Sequence, residues 1–209
     1  MSSTPGIPSP PVPTTLLIVR HAEVHNPADI VYGRLPRYRL SERGREQAAH
    51  TARFVAVRDV AAVYTSPLLR ARQTADILST YHPHAPVKVS RDLLETRTSY
   101  QGSPNSIIKP GFSFYDPKHD PADETMDDIW RRMSAFVRRV ARRHAGRTVV
   151  AVSHADPITI LRVGLEGRPF TTPSLHAVLY PARASVTQLV LLPDQPFSLT
   201  YFSPAGTSV

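Results

Sequence analysis

Short apolar runs alternate along this chain with longer segments in which apolar residues recur at helical spacing. Two of the runs, at residues 15–19 and 60–66, are typical of buried strands, and two further runs predict a short strand at residues 87–90 and a strand at residues 148–153. Two later runs predict strands near the edge of a sheet, at residues 186–192 and 198–202.

The segments between these runs predict four helices. The first follows an N-cap at Ser41 and ends near residue 57, and the second has Pro67 in its first turn and ends near Tyr81. A third is expected from Ala122, with acids in its first turn and arginines at its end, the order that the helix dipole favours. The fourth is expected to be capped by Asp156 and to end near residue 166. Strands that alternate with helices predict an α/β sandwich with a mainly parallel sheet.

The length of 209 residues favours one domain, which we expect to span residues 14–209. The preceding residues 1–13 are rich in Pro and Ser and predict a disordered or extended tail. Residues 96–121 lack a sustained period and contain many breakers, so they form an insertion, either a floppy loop or a packed lid. Its four aromatic residues favour the packed lid: Tyr100, Phe112, Phe114 and Tyr115.

The formal net charge of +8 raises the question of an acidic partner. Only three of the basic residues are lysines, and arginine suits bidentate contacts with phosphate. A merely compositional excess and a nucleic-acid partner are the alternatives. We do not expect nucleic acid, because no aromatic residues interleave with the exposed arginine-lined face of the third helix as a base-stacking surface requires.

The chain has no cysteine, no apolar run of membrane-spanning length and no signal-peptide pattern. We therefore expect a cytoplasmic protein with no membrane partner. The sequence does not determine the oligomeric state.

Three of the predicted strand ends carry candidate chemistry. Arg20 and His21 follow the first strand, a Ser-Pro-Leu-Leu-Arg turn ending at Arg70 follows the second, and His154 follows the fourth. Ligands of open α/β sheets bind at this carboxyl edge, and arginines with histidines suit a phosphate dianion. One neutral imidazole could attack phosphorus while the other stabilises the developing charge, provided that a carboxylic acid lies nearby to protonate the leaving group.

The motifs LLIVRHAEVHN, TSPLLRARQTA, DLLE and VVAVSHAD, in this order, resemble those of the histidine phosphatase superfamily. The resemblance runs from about residue 14 to residue 192. Within the superfamily, the chain most resembles a branch of small phosphatases of an actinobacterial type. It implies the phosphoglycerate mutase-like fold, a three-layer α/β/α sandwich.

The resemblance also implies roles for individual residues. His21 matches the phosphorylated nucleophile, Glu95 matches the proton donor, and the phosphate contacts fall on Arg20, Arg70, His154 and Asn26. His154 thus counts both as a catalytic and as a phosphate-binding residue.

Three departures from the family pattern stand beside this match. Ala22 replaces a commoner glycine, Ala155-Asp156 replaces a small pair, and the Gly-rich continuation after Glu95 is only partly present. The last departure leaves three rivals to Glu95 as the acid, which are Glu23, Glu124 and Asp156.

Together these features predict a phosphomonoester hydrolase that acts on a small phosphorylated metabolite through a phosphohistidine, without metal or other cofactor. Its arginines and histidines would supply the positive charge of a metal. The alternatives are mutase-type phosphoryl transfer and non-catalytic binding of a phosphorylated ligand on the same fold. Further substrate contacts could come from the 96–121 insertion or from Arg34, Arg37 and Arg39.

Overall fold

The computed structural model describes residues 12–115, 120–192 and 197–204. In this part of the chain six strands form one sheet: β1 (Thr14–Arg20), β2 (Val60–Thr65), β3 (Val87–Val89), β4 (Thr148–Ser153), β5 (Val186–Leu191) and β6 (Ser198–Phe202). Their order across the sheet is β3-β2-β4-β1-β5-β6. All six predicted strands are present, with ends that differ from the predicted ones by at most one residue.

The sheet is parallel over its first four strands and antiparallel over its last two. β1 runs parallel to β4, β4 to β2, and β2 to β3, whereas β5 pairs antiparallel with both β1 and β6. The expectation of two edge strands is therefore wrong for β5, because β6 covers its outer side. The mainly parallel region places the ends of β1, β2 and β4 at one edge of the sheet.

Helices cover both faces of this sheet: α1 (Glu42–Val55), α2 (Leu69–Ser79), α3 (Met126–Arg143), α4 (Ala155–Leu165) and the short α5 (Thr172–His176). Alternate residues of β1 point to opposite faces, as strand geometry requires. Leu17 packs in a core with α1 and α2, and Leu16 packs in a second core with α3 and α4. The predicted three-layer α/β/α architecture is confirmed.

Three helices begin later or earlier than the sequence pattern predicts. α3 begins at Met126 rather than Ala122, because Thr125 and Asp128 form a reciprocal capping box there. α2 begins two residues after Pro67, at Leu69. The N-cap of α4 is His154, so the expected capping by Asp156 is wrong. The sequence pattern also did not indicate α5, a single short turn of helix capped by Thr171.

The insertion after residue 95 packs against the loop that follows β1. Ser103 accepts a 2.8 Å hydrogen bond from the backbone N–H of Val31, and Ile30 forms a bridge with Pro104. The rings of Tyr100, Phe112 and Phe114 contact one another edge to face, with centroids 4.9–5.9 Å apart. Residues 116–119 of the predicted insertion and residues 1–11 of the predicted tail lie outside the described residues.

Candidate active site

Three separate elements bring arginine and histidine side chains to the carboxyl edge of the sheet. β1 and β4 are neighbours in register, with Arg20 opposite Ser153, and the N–H of His21 donates a 2.9 Å hydrogen bond to the Ser153 carbonyl. The next residue on each strand is a histidine, so the rings of His21 and His154 lie 5.1 Å apart, centroid to centroid. α2 adds Arg70 from its first turn.

The hydrogen bonds of His21 define its tautomer. The Nε–H of Arg70 lies 3.1 Å from His21 Nε2, and because a guanidinium can only donate, Nε2 must be the acceptor. The ring proton is then on Nδ1, which donates to the carbonyl of Ala22 over 2.7 Å. Burial lowers the pKa of His21 well below its usual range, and the charges of Arg70 and Arg20 lower it further. The ring is therefore neutral, with a lone pair on Nε2.

Arg70 is fully buried and only partly satisfied by the protein. Its Nη2 donates to the carbonyl of Gly33 over 2.7 Å and lies 3.9 Å from Glu95 Oε2. Its Cζ is 4.7 Å from the centroid of the Tyr32 ring. Its Nη1 has no hydrogen-bond partner among the described residues. One donor of a buried cation is thus available to a ligand.

Arg20 and His154 each also have a buried nitrogen without a hydrogen-bond partner among the described residues. The Nη1 of Arg20 donates to the carbonyl of Pro181 over 2.7 Å, and His154 Nε2 lies 2.8 Å from Ser66 Oγ. Within the described residues neither Arg20 Nε nor His154 Nδ1 has a partner. A buried polar group without a partner is costly, so these nitrogens indicate a site that is completed by a ligand. The two guanidinium groups make an anion the ligand that fits.

A cavity of about 270 Å³ opens over this group of side chains. Arg20, His21 and Glu95 form part of its wall, together with apolar residues of the loop after β1 and of the insertion. Such a volume is close to the lower end of what small-molecule sites usually have.

Glu95 follows a 3₁₀ turn at Arg91–Leu93 and reaches the two histidines from the side. Its Oε2 is 3.7 Å from His154 Nδ1, and its Oε1 accepts a 2.9 Å hydrogen bond from the N–H of Thr96. Burial raises the pKa of Glu95 to about 7, with a further rise from the charge of Asp156 and an opposing effect from Arg70. A carboxyl group with this pKa can both give and accept a proton near neutral pH.

Two of the rival acids lie outside the cavity wall. Glu23 accepts a 2.7 Å hydrogen bond from Ser41 Oγ at the start of α1. Glu124 is ion-paired with Arg34, at 2.7 Å, and with Arg132, at 3.2 Å. Both carboxylates have partners elsewhere, which leaves Glu95 and Asp156 as the acids of the cavity.

Asp156 contacts two tyrosines instead of capping its helix. Tyr115 donates to one carboxylate oxygen over 2.7 Å, and Tyr180 donates to the other over 2.9 Å. Burial raises the pKa of both phenols well above the usual range, and the charge of Asp156 adds to the effect. The carboxylate is held in one orientation at the cavity wall.

Asn26 and the arginines of the following loop do not line the cavity. The amide of Asn26 donates to the carbonyl of Ile30 over 2.9 Å and accepts from the N–H of Ile30 over 3.4 Å. It stabilises its own loop, and it is absent from the cavity wall. Arg34 donates to the Glu95 carbonyl over 2.7 Å, so it supports the loop that carries Glu95. Arg37 and Arg39 do not line the cavity either.

Sequence reasoning missed several residues of the site. Tyr32 packs its ring edge-on to His21 at 6.4 Å, and Arg183 lines the cavity from the loop before β5. Ser66 was visible inside the TSPLLR motif, and its contact with His154 follows from the adjacency of β2 and β4. No local signal marked Arg183 or Tyr180, and Tyr115 was indicated only as an aromatic residue of the insertion.

His21, Glu95 and His154 offer ligand atoms that all lie within 4.8 Å of one another, a spacing that could hold a cation. The neighbouring guanidinium groups of Arg20 and Arg70 oppose a further positive charge at short range and favour an anion.

Among the helices described here, none is long and apolar enough to cross a membrane.

Comparison with known proteins places this geometry in a family. Residues 16–203 match the model of the histidine phosphatase superfamily (branch 1). The uncharacterized protein Rv0525 of Mycobacterium tuberculosis is 37% identical over 207 residues, which cover 94% of this chain and 99% of that protein. Phosphoserine phosphatase 1 of Hydrogenobacter thermophilus is 28% identical over 161 residues, which cover 73% of this chain and 76% of that enzyme.

A solved structure shows the same fold. The mycobacterial glucosyl-3-phosphoglycerate phosphatase Rv2419c superposes with a TM-score of 0.75 at 24% identity, over 90% of this chain and 98% of that one. The chain belongs to the histidine phosphatase superfamily, branch 1.

Proposed function

We propose that this protein is a phosphomonoester hydrolase that acts on a small phosphorylated metabolite through a phosphohistidine at His21, without a metal ion or other cofactor. The observation that carries the proposal is the lone pair of His21 Nε2, together with three buried nitrogens, on Arg20, Arg70 and His154, that have no hydrogen-bond partner among the described residues. The phosphatase names of the relatives support the same reaction class.

Binding comes first in the proposed mechanism. The phosphoryl oxygens of the substrate accept hydrogen bonds from Arg20 Nε, Arg70 Nη1 and His154 Nδ1, which replaces the solvation that these buried groups lack. Donors fixed in this way also stabilise the charge that develops on the phosphoryl oxygens in the transition state.

The first chemical step forms the bond between His21 Nε2 and phosphorus and breaks the bond between phosphorus and the ester oxygen. Arg70 Nε releases Nε2 as the attack begins, and the hydrogen bond from Nδ1 to the Ala22 carbonyl stabilises the charge that the ring acquires. Glu95 gives its proton to the departing alkoxide, which leaves as an alcohol.

The second step returns the enzyme to its starting state. The Glu95 carboxylate takes a proton from water, the resulting hydroxide equivalent attacks phosphorus, and the bond to His21 Nε2 breaks. The products are inorganic phosphate and a protonated Glu95, ready for the next cycle.

The proposal is tested by incubating the protein with phenyl phosphate and measuring both products. We expect inorganic phosphate and phenol to appear in equal amounts. Transfer of the phosphoryl group to an added alcohol or phosphorylated acceptor, with little phosphate released, would instead indicate mutase-type transfer. Tight binding of phosphate without any turnover would indicate a non-catalytic binding protein.

A further inference from the structure

A second cavity adjoins the candidate active site on the side of Asp156. It measures about 420 Å³ and shares four wall residues with the first cavity: Ile108, Phe114, Asp156 and Tyr180. Its remaining wall is largely apolar, with Phe112, Leu175 and Val178 among its members. None of the proposed phosphate-binding residues lines it. The proposed mechanism does not involve this second cavity.

The charges around the two cavities differ. Arg20 lines the first cavity, and Arg70 donates a hydrogen bond to His21, so two guanidinium groups face the phosphoryl group. The two charges of a phosphate dianion match them. Asp156 lines both cavities, so a second anionic group that extended into the second cavity would lie beside a carboxylate.

Asp156 has the properties of an acceptor for the organic part of a substrate. Its two oxygens are oriented by Tyr115 and Tyr180, and a carboxylate keeps further lone pairs beyond these two bonds. It stands where the two cavities meet, so a group that extends from the phosphate pocket into the second cavity passes beside it. A hydroxyl group there would gain a charge-assisted hydrogen bond, whereas a carboxylate would be repelled.

We propose that the substrate's leaving group is an uncharged alcohol that donates a hydroxyl group to Asp156 and places an apolar or aromatic part in the second cavity. This inference rests on the proposed function, because it assigns the leaving group of that same reaction.

The charge part of the inference is tested with two nearly isosteric esters. Glycerol 3-phosphate carries a hydroxymethyl group where 3-phosphoglycerate carries a carboxylate. We expect kcat/KM for glycerol 3-phosphate to be at least about tenfold higher. In Asp156→Asn the ratio of the two values should fall by about tenfold, whatever happens to the absolute rates. Asp76→Asn, which removes an exposed carboxylate of α2, should leave the ratio unchanged. A wild-type preference for 3-phosphoglycerate, or a ratio that Asp156→Asn does not alter, overturns the inference.

The size part is tested with phenyl phosphate and 1-naphthyl phosphate. The larger ring should bind with a KM about tenfold lower, since its second ring buries additional apolar surface. Leu175→Trp should fill the second cavity and abolish that difference. Phe112→Ala removes an aromatic wall residue of the second cavity and should reduce the difference, so it serves if the tryptophan variant fails to fold in a thermal melt. Equal KM values in the wild type, or a difference that a folded Leu175→Trp retains, contradict the inference.

Binding measurements distinguish a failure of the proposed function from a failure of the leaving-group inference. The same esters are titrated calorimetrically into His21→Ala, which cannot form the phosphohistidine. If the wild type hydrolyses none of them, the proposed function fails, and the ratios of their dissociation constants still decide the inference. Ratios in the expected direction support the leaving-group site, and ratios near one overturn it.

Discussion

The Nε–H of Arg70 donates a 3.1 Å hydrogen bond to Nε2 of His21, although both are buried side chains that can carry a positive charge. The contact is possible because the imidazole is neutral, and the positive charge of Arg70 in turn lowers the pKa of His21. The guanidinium therefore keeps the proton off the atom that we propose as the nucleophile. It also occupies that atom until a substrate arrives.

His21→Ala should lower kcat by at least about a thousandfold and abolish the phosphoenzyme, because the proposed P–N bond has no other acceptor. The measurement is acid quenching and base quenching after incubation with ³²P-labelled substrate, since a phosphohistidine is labile in acid and stable in base. His50→Ala, which removes an exposed histidine of α1, should behave like the wild type. A covalent intermediate that persists in His21→Ala would place the nucleophile on another residue.

Glu95→Gln should slow the hydrolysis of esters with poor leaving groups by about a hundredfold or more, and that of p-nitrophenyl phosphate much less. The reason is that only a poor leaving group needs the proton that Glu95 supplies. Glu23→Gln is the matched control, because that carboxyl group lies outside the cavity. Equal losses for all leaving groups, or a larger loss in Glu23→Gln, would assign the acid differently.

The rate for poor leaving groups should have a slightly acidic optimum. The reaction needs protonated Glu95, whose pKa is raised to about 7, so activity falls as the pH rises through that value. It also needs neutral His21, whose pKa is lowered, so activity is lost on the acid side only below the usual histidine range. A profile of kcat/KM against pH measures both limbs, and an optimum confined to basic pH would contradict these assignments.

Activity should be unchanged in excess chelator and should not require added metal. The positive charge at the phosphoryl group is expected from Arg20 and Arg70, which a chelator does not remove. Phosphate release is measured with and without chelator and after readdition of Mg²⁺, Mn²⁺ or Zn²⁺. Loss of activity that a metal restores would indicate that the cluster of His21, Glu95 and His154 holds a cation.

Gly44→Ala should destabilise the fold by about 2 kcal/mol or more, although alanine is the better helix former. A Cβ at this position of α1 would meet the backbone carbonyl of Glu23, two residues after the proposed nucleophile, and that backbone cannot move aside cheaply. Chemical denaturation measures the loss. Glu46→Ala, on the exposed side of the same helix, should stay within about 0.5 kcal/mol of the wild type.

Duplex DNA and RNA should not bind at moderate salt, in spite of the net charge of +8. Several arginines of α3 or near it form ion pairs, including Arg131 with Asp128 and Arg139 with Asp92. Filter binding over a salt series tests this expectation. Salt-dependent binding in the micromolar range or tighter would reveal a nucleic-acid partner.

The sequence could predict the residues of the proposed phosphate pocket because each follows a strand in the chain. Arg20 with His21, Arg70 and His154 stand directly after three apolar runs, and parallel strands carry such positions to one edge. Local pattern and sheet topology were sufficient to bring them together. Glu95 follows a short strand and a 3₁₀ turn. The DLLE motif indicated Glu95 as the candidate acid, but it did not determine which residues Glu95 contacts.

The same reasoning failed for the capping role of Asp156, whose side chain had two possible sets of partners. Asp156 has the position and residue type of a helix cap, yet tyrosines 41 and 24 residues away bind both of its oxygens. Asn26 is matched to a phosphate contact by its position alone, and its amide exchanges hydrogen bonds with Ile30. Such choices depend on which groups surround the side chain after folding.

By itself, the sequence determined the layered α/β fold and the four arginines and histidines at the sheet edge, because periodicity and strand ends are local properties of the chain. Only the tertiary structure decided the tautomer of His21, the raised pKa of Glu95, and the contacts of Asp156 with Tyr115 and Tyr180. These depend on burial and on charges from distant segments, and both exist only once the segments have packed.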